Sequence, residues 1–176
     1  MRKLTVLIVS VFLSVVLVSS AVSQDLMDKT YVGGALGIWH GVGFSANFEK
    51  IFKEIEDLGI LGFGAEAGFA TKKTSYNWYG GEYGWKYTYI PIFGFISFHY
   101  KVNNPKLDPY ARAGLGYVIV SASEYGDYAG TWGSSTDSYF DFAGQVGIRY
   151  NISPKIWLRA ALGTPWIASF GADIEL

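Results

Sequence analysis

The clearest periodicity in the chain lies between residues 139 and 162. Phe140, Phe142, Gly144, Val146, Ile148 and Tyr150 are apolar or small, while the alternate set of Tyr139, Asp141, Ala143, Gln145, Gly147 and Arg149 carries the polar and charged groups. A period of two belongs to a strand, whose successive side chains point to opposite faces. After Asn151-Ile152-Ser153-Pro154 the pattern resumes, with Ile156, Leu158, Ala160 and Leu162 on one face and Trp157, Arg159 and Ala161 on the other. This predicts a hairpin. The same alternation predicts strands over residues 31–39, 43–52, 58–71, 85–101, 109–122 and 166–176, making eight in all. Residues 46–58 have a competing reading as a helical turn, because Ile51, Ile55 and Leu58 approach a 3.6 period. Pro91 cannot donate to a ladder and predicts a bulge or kink in its strand. Residues 72–83 and 123–138 are polar, glycine-rich and without period, and are expected to be long loops.

Alternation does not say which face is buried. A soluble sheet hides its aliphatic face; a barrel in lipid turns that face outward and keeps its charges inside. The start of the chain bears on the choice. Met1-Arg2-Lys3 is a short basic start, residues 4–18 are continuously apolar or hydroxylic, and Ser19-Ser20-Ala21-Val22-Ser23 supplies small residues for a cut after Ala21 or Ser23. That is the layout of a secretory signal peptide over residues 1–23, followed by one domain over residues 24–176. The apolar run is shorter than the roughly 20 residues of a spanning helix. No cysteine is present, so disulfide staples and thiolate metal sites are excluded. A net charge of −1 leaves no basic footprint for nucleic acid. The chain is rich in glycine and aromatics (22 Gly, 13 Tyr, 12 Phe and 6 Trp), with only 16% charged residues. A curved sheet with aromatic belts accommodates that composition; a helical bundle does not. Past residue 23 no apolar run is long enough for a spanning helix, and a sheet crosses lipid only as a closed barrel.

With the first strand starting on the periplasmic side, the links at residues 53–57, 102–108 and 152–154 fall on that side and are short. Both long loops fall on the opposite side, with the brief links at 40–42 and 164–165. This is the outer-membrane arrangement. The expected fold is all-β: an eight-stranded antiparallel up-and-down transmembrane β-barrel.

At YIPIFGFISFHYKV, DPYARAGLGYVIV and FAGQVGIRYNISPKIWLRAAL the chain resembles the small eight-stranded outer-membrane β-barrel proteins of Gram-negative bacteria, the OmpA-type and OmpX-type group. The shared features are a Pro within one strand, then PY-x-x-x-G-x-G-Y, then G-x-G-x-x-Y beside a periplasmic turn, and the resemblance spans roughly residues 31–176. It implies an outer-membrane location, contact with outer-membrane lipid and lipopolysaccharide, and handling by the barrel-insertion machinery. That machinery is thought to read an aromatic C-terminal residue; this chain ends in Leu176.

The inward sets hold Glu49, Glu66, Arg112, Asp141, Gln145, Arg149, Arg159 and Asp173. Isolated charges in a narrow lumen are costly. The expectation is a lumen network in which Arg112, Arg149 and Arg159 bridge to Glu66, Asp141 and Asp173, with Gln145 among them. An interior of eight strands is just wide enough for side chains to fill. Ser97 and His99 share a strand face within reach of Glu66, the residue types of the Ser/His/Glu site of outer-membrane lipid A deacylases, but order and spacing do not match. His99 is read as a hydrogen-bonded wall residue, and no catalytic residue, metal site or cofactor is assigned. Tyr76, Trp78 and Tyr79 in the first long loop, with Tyr125, Tyr128 and Trp132 in the second, form either an interfacial girdle or a recognition patch for an extracellular ligand. Lys72-Lys73 is a candidate contact for lipopolysaccharide phosphates. The leading functional expectation is an integral outer-membrane protein with a structural or surface-interaction role, a plugged lumen and no enzymatic activity. A narrow pore or transport component is the alternative, and a soluble exported barrel of lipocalin type the third reading.

Overall fold

The computed structural model describes residues 26–55, 58–78, 81–126 and 133–176, except for the side chain of Trp78. The strands are β1 (Thr30–Ile38), β2 (Val42–Ile55), β3 (Gly59–Trp78), β4 (Gly81–Tyr100), β5 (Leu107–Gly126), β6 (Ser135–Ser153), β7 (Ile156–Thr164) and β8 (Ala168–Glu175). Each pairs antiparallel with its sequence neighbour, and β8 returns to β1 to close the barrel. Closure leaves no free edge at the level of the ring, the condition for a sheet in hydrocarbon.

Both faces follow the alternation. Outward, Phe142 is 71% exposed, Leu36 68% and Ile96 62%; inward, Arg149, Glu49 and Asp173 are at 0%. The sheet therefore turns its oily side out. Outward rings gather toward both rims, with Phe52 against Phe63 at 5.6 Å on the side of the termini, and Phe44 stacked on Phe69 at 5.7 Å and Phe140 edge-on to both Tyr117 and Phe142 at 5.5 and 6.1 Å on the other.

Four of the sequence expectations are corrected. The helical alternative at residues 46–58 gives way to strand through Ile55, with a register shift between Ile51 and Lys53. That bulge breaks the period of two and accounts for the near-helical spacing that follows. Pro91 causes no bulge. The β3–β4 register is the same on either side, Ala67↔Ile92 and Ala70↔Tyr89, and only the two intervening rungs are missing. Residues 72–78 and 81–83 are strand, extending the β3–β4 ladder to Trp78↔Gly81. Residues 123–126 and 135–138 likewise extend β5 and β6. Residues 1–23, 56–57, 79–80 and 127–132, which include the expected signal peptide, lie outside the described residues.

These extensions make the barrel lopsided. β1, β7 and β8 have 9, 9 and 8 residues, close to the 9–11 that cross a bilayer. β3, β4 and β5 have 20 each and β6 has 19. β2 pairs with β3 only as far as Thr71, and β7 pairs with β6 only from Gly144. Beyond those rungs β3–β6 continue alone as a four-stranded blade. Residues 72–78 by themselves reach ~23 Å along the strand at ~3.3 Å per residue.

Leu115, outward on β5 and 52% exposed, tests the polarity of the wall. Leu115→Arg is expected to lower folding stability by about 2–4 kcal/mol if it lies near the bilayer midplane, measured by denaturant titration of the barrel refolded in phospholipid vesicles. A soluble barrel would show a change within about 0.5 kcal/mol for this surface site.

Candidate functional site: the lumen and the projecting blade

The lumen is layered. At the rim bearing the termini, Leu26, Tyr31, Ile51, Ile60 and Trp157 form an apolar cluster with Met27 against it. Residues 26–29, which precede β1, thus place Leu26 inside the mouth. Lys29 is tied to β2 through Ile51 N–H donating to its carbonyl at 2.9 Å.

Above this lies the charged layer. Glu49 is its hub, accepting from Arg112 Nη2 at 2.9 Å and from Arg149 Nη2, and sitting 3.2 Å from His99 Nε2. Arg149 also donates to Asp173 through Nε at 2.8 Å and lies 3.5 Å from Asp108. Arg112 is 3.7 Å from Glu66, and Arg159 is 3.6 Å from Asp173 and donates to Asn47 at 2.7 Å. The guanidiniums stack on rings as well: Arg112 lies over Phe95 and Tyr110 at 4.3 and 4.7 Å, and Arg149 over Tyr31 and Tyr110 at 4.6 and 5.1 Å. Among the described residues the buried ionisable acids are Glu49, Glu66, Asp108 and Asp173, and the buried bases are Arg112, Arg149, Arg159 and His99. Four carboxylates thus face three guanidiniums and one imidazole, with a carboxylate beside each ring nitrogen of His99.

Toward the far rim the layer ends under Trp166, which is 1% exposed and donates from Nε1 to Glu66 at 2.6 Å. Its indole spans between glycines of β1 and β3. A Cβ on Gly37 or on Gly68 would come within 2.6 Å of the ring, so glycine at both positions is what lets the indole lie across the lumen. Trp39 packs edge-on to Trp166 at 6.3 Å, and Tyr89 lies beyond it, 5.3 Å from Trp39. A cavity of about 10 Å³ remains beside Glu66, Phe95, Arg112 and Gln145, room for one water.

Ser97, His99 and Asp108 invite comparison with a hydrolytic site. Ser97 Oγ is 3.1 Å from His99 Nε2, and Asp108 is 2.9 Å from Nδ1, distances that suit a nucleophile, its base and an orienting acid. Two features set this trio apart from an open hydrolytic site. Nε2 also lies 3.2 Å from Glu49 Oε1, and all three residues are buried at 1% exposure.

The blade has two unlike faces, set by register and alternation. Its concave face continues the lumen wall. β4 supplies the column Tyr83, Trp85, Tyr87 and Tyr89, flanked on β3 by Tyr76, Thr74 and Lys72 and on β5 by Glu124, Ala122 and Val120. Asp137 and Asp141 of β6 belong to the same face. The convex face continues the oily wall and carries Lys73 opposite Lys86, with Lys73 Nζ 5.4 Å from the Tyr125 ring. The free edge of β6 is partly capped by its own side chains. Asp137 accepts from the N–H of Ser138 and Asp141 from that of Phe142, both at 2.8 Å.

Residues 9–174 match the sequence family described as outer membrane protein beta-barrel domain. The chain belongs to that family. Among solved structures, this outer-membrane barrel resembles a major outer membrane protein from Thermus thermophilus (13% identity, 84% of this chain and 99% of that one, TM-score 0.56). It also resembles the N-terminal β-barrel domain of Pseudomonas aeruginosa OprF (11%, 85% and 98%, TM-score 0.50) and the attachment invasion locus protein Ail of Yersinia pestis (14%, 85% and 99%, TM-score 0.47). Identities this low speak to the fold alone. No curated protein matches the chain in sequence.

Of the residues singled out from sequence, Glu66, Arg112, Arg149, Arg159 and Asp173 meet in the lumen of this outer-membrane barrel, and Gln145 is buried beside them. Asp141 does not join them. It lies on the part of β6 beyond the last β7 partner, and its carboxylate serves the Phe142 amide instead. The hub role of Glu49 and the presence of Asp108 escaped the sequence reading. Asp108 follows a stretch whose asparagines and proline read as a turn, although it shares parity with Tyr110 and Arg112, the signal that marks it as inward. Tyr76 and Tyr125 fall on opposite faces of the blade and form no common patch. Tyr79, Tyr128, Trp132 and the Trp78 side chain lie outside the described residues.

Glu49→Gln leaves Arg112 and Arg149 short of their shared carboxylate. The expected loss of stability is about 3–5 kcal/mol, read as a lower denaturant midpoint and a lower temperature for the heat-induced shift in gel migration. Asp137→Asn, exposed on the blade, is expected to change stability by no more than about 0.5 kcal/mol.

Proposed function

We propose that this integral outer-membrane protein is a non-conducting, non-enzymatic barrel whose blade acts at the cell surface of a Gram-negative bacterium. The rim with the termini faces the periplasm, the blade projects outside, and residues 1–23 are removed on export. The observation that carries the reading is the filled lumen: an apolar cluster at one mouth, a layer of paired charges in the middle, and an indole at the other mouth. Orientation is supported by the short links on one rim and the extended hairpins on the other, the usual asymmetry of such barrels. The convex face fits this placement, because Lys73 and Lys86 stand directly above the oily wall, at the height where lipopolysaccharide phosphates border the hydrocarbon.

Planar-bilayer recording tests the reading. The wild-type protein is expected to give no steady conductance steps at modest voltage. Trp157→Ala combined with Trp166→Ala removes the bulk at both mouths and is expected to introduce flickering steps. Steady wild-type steps would establish the pore alternative in its place.

A further inference from the structure

The convex face of the blade changes character in steps, and the register fixes each step. Phe69, Ile90 and Ile119 form the last apolar row of the outer wall on β3, β4 and β5. Two residues further along each strand come Thr71, Thr88 and Ser121, with Thr136 of β6 beside them, its hydroxyl 3.3 Å from that of Ser121. Two residues beyond those come Lys73 and Lys86, directly opposite one another, with Ser123 next in line. Successive rows are about 6.6–6.8 Å apart along the strand, so the wall passes from apolar through hydroxylic to cationic within about 13 Å.

The lysine row is the anomaly. Like charges directly opposite one another on neighbouring strands repel, yet among the described residues neither Lys73 nor Lys86 belongs to an ion pair. Glu82, nearer the tip on the same face, has an interaction of its own. Lys73 Nζ rests 5.4 Å from the Tyr125 ring. That ring lies over Gly84, where a Cβ would come within 2.8 Å of it, and so closes the row on the side away from the wall. Two ammonium groups side by side, with hydroxyls below and a ring above, are complementary to one anionic group that carries several oxygens. Lysine binds phosphate in this way, as a point charge.

We propose that Lys73 and Lys86 together clamp a phosphate of a phosphorylated glycolipid, the lipid A part of lipopolysaccharide. Its acyl chains would lie on the apolar row and its sugar hydroxyls and amides against Thr71, Thr88 and Ser121. Charge complementarity selects an anion. Continuity with the lipid-covered wall selects a membrane lipid over a soluble phosphate. The hydroxyl row selects a glycolipid over a glycerophospholipid, which has fewer groups to bond it. The sequence pair Lys72-Lys73 is divided by the strand, because Lys73 joins the clamp while Lys72 belongs to the concave face. This rests on the reading that the blade projects from the outer leaflet.

The test uses the full barrel in uncharged detergent, with bound lipid counted by native mass spectrometry. The probes are bisphosphorylated lipid A, the same lipid A stripped of its phosphates, and phosphatidylglycerol. Bisphosphorylated lipid A is expected to bind most tightly of the three. Lys73→Gln with Lys86→Gln is expected to weaken its binding about fivefold or more, and Lys72→Gln to leave it unchanged. Heat-shifted gel migration verifies that each variant is folded. Equal binding of the phosphate-free lipid, equal binding of phosphatidylglycerol, a double variant indistinguishable from wild type, or a loss in Lys72→Gln as large as in the double variant would each overturn the proposal. If the barrel is silent in bilayers yet shows no preference for lipid A, only this inference fails; steady conductance would overturn the plugged-lumen reading and leave the lysine clamp standing.

Discussion

The structure depends on closure of the backbone ladder. A sheet with its apolar side outward has no core to hold it in water, and in hydrocarbon no open edge is tolerated, because unpaired amides find no substitute for water. The β8-to-β1 pairing, eight rungs from Ile38↔Ala168 to Tyr31↔Glu175, therefore decides whether the other strands are a membrane wall or an aggregating sheet. Closure then creates a second problem, a narrow interior that has to be filled. The sequence answers it with charges rather than aliphatics, and this is tolerable only because each acid is matched by a base within a few ångströms.

That interior is a single electrostatic object. Glu49 is shared by two guanidiniums and an imidazole, Asp173 by two guanidiniums, and Arg149 by three acids. Paired buried charges roughly offset their desolvation, whereas one left over costs several kcal/mol. The network therefore contributes less to net stability than its number of contacts suggests, and more to specifying the register, since a one-residue slip of any strand would turn its charge into lipid. Tyr31, Phe95 and Tyr110 separate the guanidiniums and give them ring faces, so polar and aromatic groups pack the lumen together.

Strand number and the membership of the two faces were legible from alternation, because a strand has a period of two; which face turns outward was legible only with the export-signal layout at residues 1–23 and the unequal link lengths. Arg112, Arg149, Arg159, Glu66 and Asp173 were legible for the same reason. What the pattern concealed has physical causes. Bulges at Ile51/Lys53 and Asn151/Ser153 reset the period, so alternation fails locally where strand persists. Polar, glycine-rich residues 72–78, 81–83, 123–126 and 135–138 resemble loops because beyond the closed ring both faces of the sheet are open and the apolar-polar contrast disappears. Asp108 was concealed by the proline and asparagines before and after it, which mark a turn, and Asp141 was placed by face but not by height.

Height along the barrel axis is the coordinate that alternation lacks, and it separates the two roles of the same residue types. Below the Trp166 indole, rings, acids and guanidiniums all come from this chain and pair with one another. Above it the rings and acids continue on β4, β5 and β6 while the guanidiniums stop. The same alternation therefore places one set of residue types in a closed, paired interior below the indole and on an open face above it, and height alone decides which.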